Sequence, residues 1–552
     1  VFLLPSCSHR ATMEEEHASD RVSLEEVSSP SIMTRARRFA QAQPLPLSMR
    51  RGTPTKVVLA KFGRIFRCRP DSLPLEERSQ LYSLSEPCER FDYFLSHSWR
   101  ASGIEKYIAL ALYLRGYAAF AMGAVVSTIV CVLQGSLNFP FGHVGQLGTR
   151  WGDDDSKGRV SVAELLSLLS FVWIGLLLGV PLPRRQRRQH CFLDCTSIAQ
   201  ADEVLKLKGV SRLSSYVCSS DRLIILWDKT YFSRLWCVYE LAAITHFKPN
   251  APIELLSIDQ AMFTLAMQQV VGAFVIVILV LRVNEVQRAG AAISLLSYFG
   301  SLAFWGPALG YCLLSYFGTR FRLEQEELLQ QLQCFNVREA GCSTERDRET
   351  ILRSIGAHMF DSLDEFNEFV RTTLRSRVAR RFHSQRARLP YGSTLLAISP
   401  TLGLLLMFYN YFKDNSVWPP EGPPLPFKAA WILTLLFWWL MVYPLILALV
   451  MHLAPPRHTW RGHLAVGVLM APFVTCTVNL LGILPMKIAR GELPCDHFSH
   501  AGELCRMLVP ETVLPVVLGL HTPVALAAWW FYAPQSANKT IGKGRGVKEH
   551  GG

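Results

Sequence analysis

Apolar and polar positions along this chain are organised on two scales. On the shorter scale, residues 222–227 form a compact apolar run opened by Asp221 and closed by Asp228 and Lys229, the length and flanks of a strand covered on both faces. From Tyr231 the period changes. Trp236, Tyr239 and Ala243 recur at helical spacing, Phe232, Leu235 and Val238 widen the stripe, and one acid, Glu240, stands on this apolar background. Strands are likewise expected at 91–96 and from about 190, with a helix over 103–115 between them, and a short apolar run follows at 253–258. Further on, Ser362, Leu363, Asp364 and Glu365 have the capping-box pattern. Phe366, Phe369, Val370, Leu374 and Val378 continue at helical spacing, so an amphipathic helix starts there and its apolar face needs a cover.

On the longer scale, eight windows are long and apolar enough to cross a bilayer, which takes roughly 20 residues each. They lie near 117–133, 162–182, 263–281, 291–317, 393–412, 429–452, 464–485 and 509–532. Composition points the same way: of 552 residues, 50% are apolar and only 18% charged, with mean hydropathy +0.20. The expectation is a multi-pass membrane protein with a transmembrane bundle of about eight spans. Residues 116–183 and 261–318 would be hairpins, 392–532 a four-span region, 319–391 a helical insert and 533–552 a basic tail. Residues 1–55 read as a disordered tail, and the chain opens on Val1 with Met13 a candidate start.

Basic residues set the orientation. Arg184, Arg185, Arg187 and Arg188 follow the second window with no acid among them, which puts that flank, the insert and both termini in the cytosol. The net charge of +13 does not argue for nucleic acid, because the basic run Arg371, Arg375, Arg377, Arg380, Arg381, Arg386 and Arg388 sits just before a window. That run lies on anionic lipid in one reading; in the other its helix packs on the sheet domain or on a helix at 323–332. The basic lead-in at 56–69 is either a helix touching the inner leaflet or an ordinary solvated element. Of 14 cysteines, Cys495 and Cys505 share an outer loop and could pair, and no CxxC motif points to a metal site. Gly306 and Gly310 mark close helix packing.

Three blocks carry a family resemblance. Phe91-Asp92-Tyr93-Phe94-Leu95-Ser96-His97-Ser98-Trp99, then Cys191-Phe192-Leu193-Asp194 with the polar residues after it, then Trp236-Cys237-Val238-Tyr239-Glu240-Leu241, resemble in order the first strand and loop, the second strand and the WCxxEL helix of Toll/interleukin-1 receptor (TIR) domains. The resemblance implies an α/β fold: a small parallel-sheet, flavodoxin-like cytosolic domain in two halves, 56–115 and 184–260, divided by a membrane hairpin. It also implies a chemistry. Some TIR domains cleave NAD between nicotinamide and ribose, and Glu240 matches the glutamate given that task, with NAD the substrate rather than a bound cofactor. An oxocarbenium-like centre forms as nicotinamide leaves, and a carboxylate beside it stabilises the charge and orients water. By the same resemblance Ser96, His97, Ser98, Trp99 and Arg100 would border the nucleotide and Trp236 would flank the pocket.

Plain alternatives stand beside each role. Glu240 could pair with Arg222, Arg234 or Lys229; Trp236 and Tyr239 could be core; His97 could bond a neighbouring backbone group; Ser96 and Ser98 could be turn residues. The loop after the second strand lacks the glycine and proline of receptor TIRs, and the chain leaves the domain after 253–258. Three classes therefore remain: an NAD-cleaving enzyme, a non-catalytic scaffold joining its own kind or other TIR-like domains, and a transporter or channel with a regulatory domain. Glu511 and His521 are the main ionisable groups within the windows, few for a coupled carrier.

Overall fold

The computed structural model describes residues 45–67, 69–137, 143–150, 155–179, 188–288, 302–342, 345–379, 391–413 and 436–478. Its strands are β1 (Arg51–Pro54), β2 (Glu86–Pro87), β3 (Tyr93–His97), β4 (His143–Arg150), β5 (Asp155–Ser161), β6 (His190–Phe192), β7 (Leu223–Trp227) and β8 (Ile253–Ser257). Six form one sheet in the order β2-β1-β6-β3-β7-β8, while β4 and β5 pair as a separate antiparallel hairpin. Strands β6, β3, β7 and β8 are parallel, and β1 and β2 join antiparallel. The sheet is therefore mixed, which corrects the expected small parallel sheet. Residues 51–54, assigned from sequence to the N-terminal tail, supply β1; strands of four and two residues leave too short a pattern to be read.

Segments 91–96 and 223–227 lie side by side, with Phe94 opposite Leu223 and Ser96 opposite Ile225. Every residue of β3 and β7 is buried, and their period-two alternation feeds two separate cores. One face carries Phe94, Phe192, Leu223, Ile225 and Trp227 against helix α2 (Leu235–Phe247). The other carries Tyr93, Leu95, Ile224 and Leu226 against the opening turns of helix α1 (Gly103–Leu137), with Val58, Leu59, Ile65 and Phe66 of the basic lead-in packed into the same layer. Each fully buried side chain of this size stabilises the fold by about 1.5–3 kcal/mol. Four apolar positions of the lead-in thus face the sheet, while Phe62 is exposed.

Helix α4 (Leu302–Gln333) contributes Leu328 and Leu332 to the first core, where they meet Phe366 of helix α5 (Leu363–Phe369) and Val370 and Leu374 of the π-helical turn after it. Ser362 Oγ accepts the Glu365 N–H at 3.0 Å, so the serine cap forms at that helix start, while the Glu365 carboxylate reaches back to the Asp361 N–H at 2.5 Å. The amphipathic face is covered by protein, and Arg371 donates to the Phe335 carbonyl at 2.7 Å. Arg375 and Arg377 continue the helix, and the last part of the basic run, from Arg380 to Arg388, lies outside the described residues.

The eight-span bundle is not supported. Among the described residues one helix, Gly103–Gln134, is long and apolar enough to cross a membrane. The helix expected at 103–115 and the span expected at 117–133 are one continuous α1. The window at 162–182 yields 12 α-helical residues and a π-helical turn, and 393–412 breaks into Tyr391–Ala397 and Pro400–Lys413. The window at 429–452 yields the apolar stretch Trp438–Leu453 among described residues; 509–532, the Cys495 and Cys505 pair and the C-terminal tail lie outside them. The physical reason is a further core, apart from the two on the sheet: Leu165, Met267, Phe321, Trp438, Val450 and Met470 bury one another, so apolar runs resembling lipid-facing windows are spent on helix-to-helix contact. Gly310 shows how close that contact is, since a Cβ there would lie 2.6 Å from the Phe274 ring of helix α3 (Ile258–Arg288). The multi-pass localisation, with the sheet domain and both termini assigned to the cytosol by counting spans, falls with the bundle.

Candidate functional site

The chain leaves β3 for β6 on one side and later returns to β7 on the other, so the connections from β3 and β7 diverge at their carboxyl ends. Open α/β sheets bind ligands in the crevice that such a switch point creates. Here the crevice is bordered by Ser96 at the end of β3 and Ser98 to Arg100 beyond it, by Asp194 after β6, and by Asp228 to Tyr231 after β7.

Ser96 and Glu240 meet there. The buried Ser96 hydroxyl donates to Glu240 Oε2 from α2, and its oxygen lies 2.7 Å from the Tyr231 hydroxyl. Tyr231 in turn lies 3.3 Å from the Cys237 carbonyl. Burial pushes the Glu240 carboxyl up to about 8, helped by the charge of Asp194 and opposed by the Ser96 hydrogen bond. The chain can therefore run in two directions. With Glu240 ionised, Ser96 donates to it and can receive the Tyr231 proton. With Glu240 protonated, the carboxyl donates to Ser96, Ser96 to Tyr231, and Tyr231 to the Cys237 carbonyl. Among the described residues Glu240 makes no ion pair with Arg222, Arg234 or Lys229; Lys229 pairs instead with Glu327 at 2.8 Å.

The remaining expected residues divide. Ser98 Oγ lies 3.0 Å from Thr230 Oγ1, which donates to Asp228 Oδ2 at 2.6 Å. Trp99 donates its indole N–H to Asp194 Oδ2 at 2.9 Å. Arg100 is exposed, and its backbone N–H donates to Ser98 Oγ at 3.2 Å. His97 is on the opposite face of β3 from Ser96, as strand alternation requires, edge-on to Phe66 and Trp99. Burial and the nearby Lys106 charge hold its imidazole well below the usual range, and its Nε2 is buried without a partner. Trp236 flanks α2 against Tyr239, with ring centroids 6.1 Å apart. Ser96, Ser98 and Glu240 thus share the crevice side, Trp99 joins it through Asp194, and His97 does not.

Sequence reasoning missed four members of this network. Lys106, fully buried in the first turns of α1, donates to the Ser98 carbonyl at 2.8 Å and stands 5.2 Å from the Trp99 ring centroid. In the sequence Tyr231 marks only the change of period, Asp228 only the flank of a strand, and Thr230 carries no signal of its own. The signal available was position: a polar side chain directly after a buried strand belongs to the carboxyl-end crevice. A lysine leading into the long apolar stretch of a helix was the other clue.

No family model, curated protein or solved structure matches the chain.

Proposed function

We propose that the sheet region is a TIR-like signalling module that cleaves NAD at the nicotinamide–ribose bond, with Glu240 as the carboxylate beside the reacting carbon. One observation carries this reading: Glu240 reaches from α2 to Ser96 at the carboxyl end of β3, in the crevice between diverging connections. Ser98 and Thr230 offer hydroxyls suited to ribose, and exposed Arg100 offers charge to the phosphates. His97, on the other face, has no part in this scheme. The cationic nicotinamide ring favours the ionised form of a nearby carboxyl, so substrate itself would draw the proton from Glu240 and free it to stabilise the developing charge.

The test is nicotinamide release by the full chain supplied with NAD. Glu240→Gln should lower the rate by about 100-fold or more. Equal rates would remove Glu240 from the mechanism. A second reading, a non-catalytic TIR-like scaffold that associates with its own kind, is favoured by the hydrogen-bond chain already engaging Glu240. Self-association without nicotinamide release under any clustering condition would decide for it.

A further inference from the structure

A cavity of about 700 Å³ runs beside the edge strand β8, between that strand and helices α1 and α4. Its volume is that of a small-molecule site. It follows α4 from Phe321 to Leu332, a rise of about 16 Å at 1.5 Å per residue, so it is elongated. Hydrocarbon dominates the wall, with Leu112 and Phe120 from α1, Leu255 from β8 and Leu328 from α4.

Polar groups collect at one end. Trp227 is in register with Ser257, and the Ser257 hydroxyl donates to Glu324 Oε1. Three atoms of lining residues at this end, Trp227 Nε1, Glu324 Oε2 and Gln325 Nε2, are buried without a hydrogen-bond partner among the described residues. A buried polar group left unmatched costs about 1–3 kcal/mol, which a ligand offering the complementary atoms would offset. Two of the three are N–H donors and the third is a carboxyl oxygen, so the complementary head must both accept and donate. It must also be uncharged. An ammonium head offers no acceptor to the two N–H groups, and a carboxylate head offers no donor to Glu324 Oε2 and meets a carboxyl of its own sign. Arg377, the other charged lining residue, is exposed.

We propose that this cavity binds a single-chain uncharged amphiphile, its hydrocarbon lying along β8 and an amide or hydroxyl head seated among Trp227, Glu324 and Gln325. The amide carbonyl takes the indole and glutamine N–H groups, and its NH₂ serves Glu324 Oε2. The site is independent of any reading of the Glu240 crevice.

Displacement of Nile red from the full chain tests it, with hexadecanamide as the probe, hexadecanol as the hydroxyl arm, and hexadecanoate and hexadecylamine as charged controls. Hexadecanamide should displace the dye at least tenfold more tightly than either charged control. Trp227→Phe, which keeps a six-membered aromatic ring and removes the pyrrole ring with its N–H, should weaken the amide about fivefold, the loss of one hydrogen bond. Leu328→Trp, which fills the cavity, should abolish displacement. If that variant does not fold, Gln325→Leu on the partly exposed side of α4 carries the same test, with about a fivefold loss. Equal displacement by the amide and the charged controls, or amide binding unchanged in Trp227→Phe and Gln325→Leu, would overturn the proposal.

Discussion

Two strands of the sheet end in the same device under different circumstances. At β3 a serine donates to Glu240, and at β8 a serine donates to Glu324; burial pushes both carboxyls up, to about 8 and about 7. Strand β3 is paired on both sides and wholly buried, whereas β8 is an edge strand whose residues are all partly exposed. The first carboxyl has serine, threonine, tyrosine and aspartate around it, while the second stands in the wall of an apolar cavity. One serine–acid pair therefore serves two chemistries, and the surroundings set which. The loop between β7 and α2 touches both, through Tyr231 toward Ser96 and through Lys229 toward Glu327 on α4.

Removing packing beneath each pair should separate them most. Phe94→Ala, which deletes a ring stacked on Phe192 at 4.5 Å, should cost about 3–5 kcal/mol in chemical denaturation. Leu255→Ala on the partly exposed edge should cost about 1–2 kcal/mol, and equal losses would erase the contrast between the strands. Next in size is pH dependence. A carboxyl with a raised folded pKa binds its proton more tightly when folded, so stability is greatest below the ordinary value of 4.5 and declines as pH rises. That decline runs through about 8 for Glu240 and about 7 for Glu324. At pH 9 Glu240→Gln should raise Tm by about 2–4 °C, while below pH 4 it should leave Tm nearly unchanged.

Smaller again are the hydroxyls. Ser96→Ala and Ser257→Ala each remove a hydrogen bond that lowers a carboxyl pKa, so carbon-13 NMR should find both glutamates titrating higher than in the parent. The smallest effect should come from Lys229→Gln. An exposed pair of this kind is worth under about 1 kcal/mol, and losing the lysine charge should move Glu324 upward while stability barely changes.

What could be read in advance follows from how strongly one pattern excludes another. The β7 run between Asp221 and Asp228, the helix carrying Glu240 and the start at Ser362 were legible because burial, flanks and capping agree there. Strands β1 and β2 were not, being too short to show a period. The apolar windows misled because a helix covered by other helices and one facing lipid need the same residues. Glu240 was found through its motif, but its hydrogen bonds to Ser96 and Tyr231 join residues far apart in sequence, and no local pattern encodes them. Glu324 was overlooked for the opposite reason, since an acid on an amphipathic helix ordinarily marks the wet side.

Helix α1 begins beside the crevice, where Lys106 bonds Ser98, and continues unbroken for 35 residues. At 1.5 Å per residue it is a rod about 50 Å long. Held at its distal end, such a rod acts as a lever arm: a tilt of about 5° sweeps the lysine end through about 4 Å. Mechanical leverage of that size exceeds the tolerance of a hydrogen bond, so whatever grips the far half of the rod has a direct hand on the loop after β3.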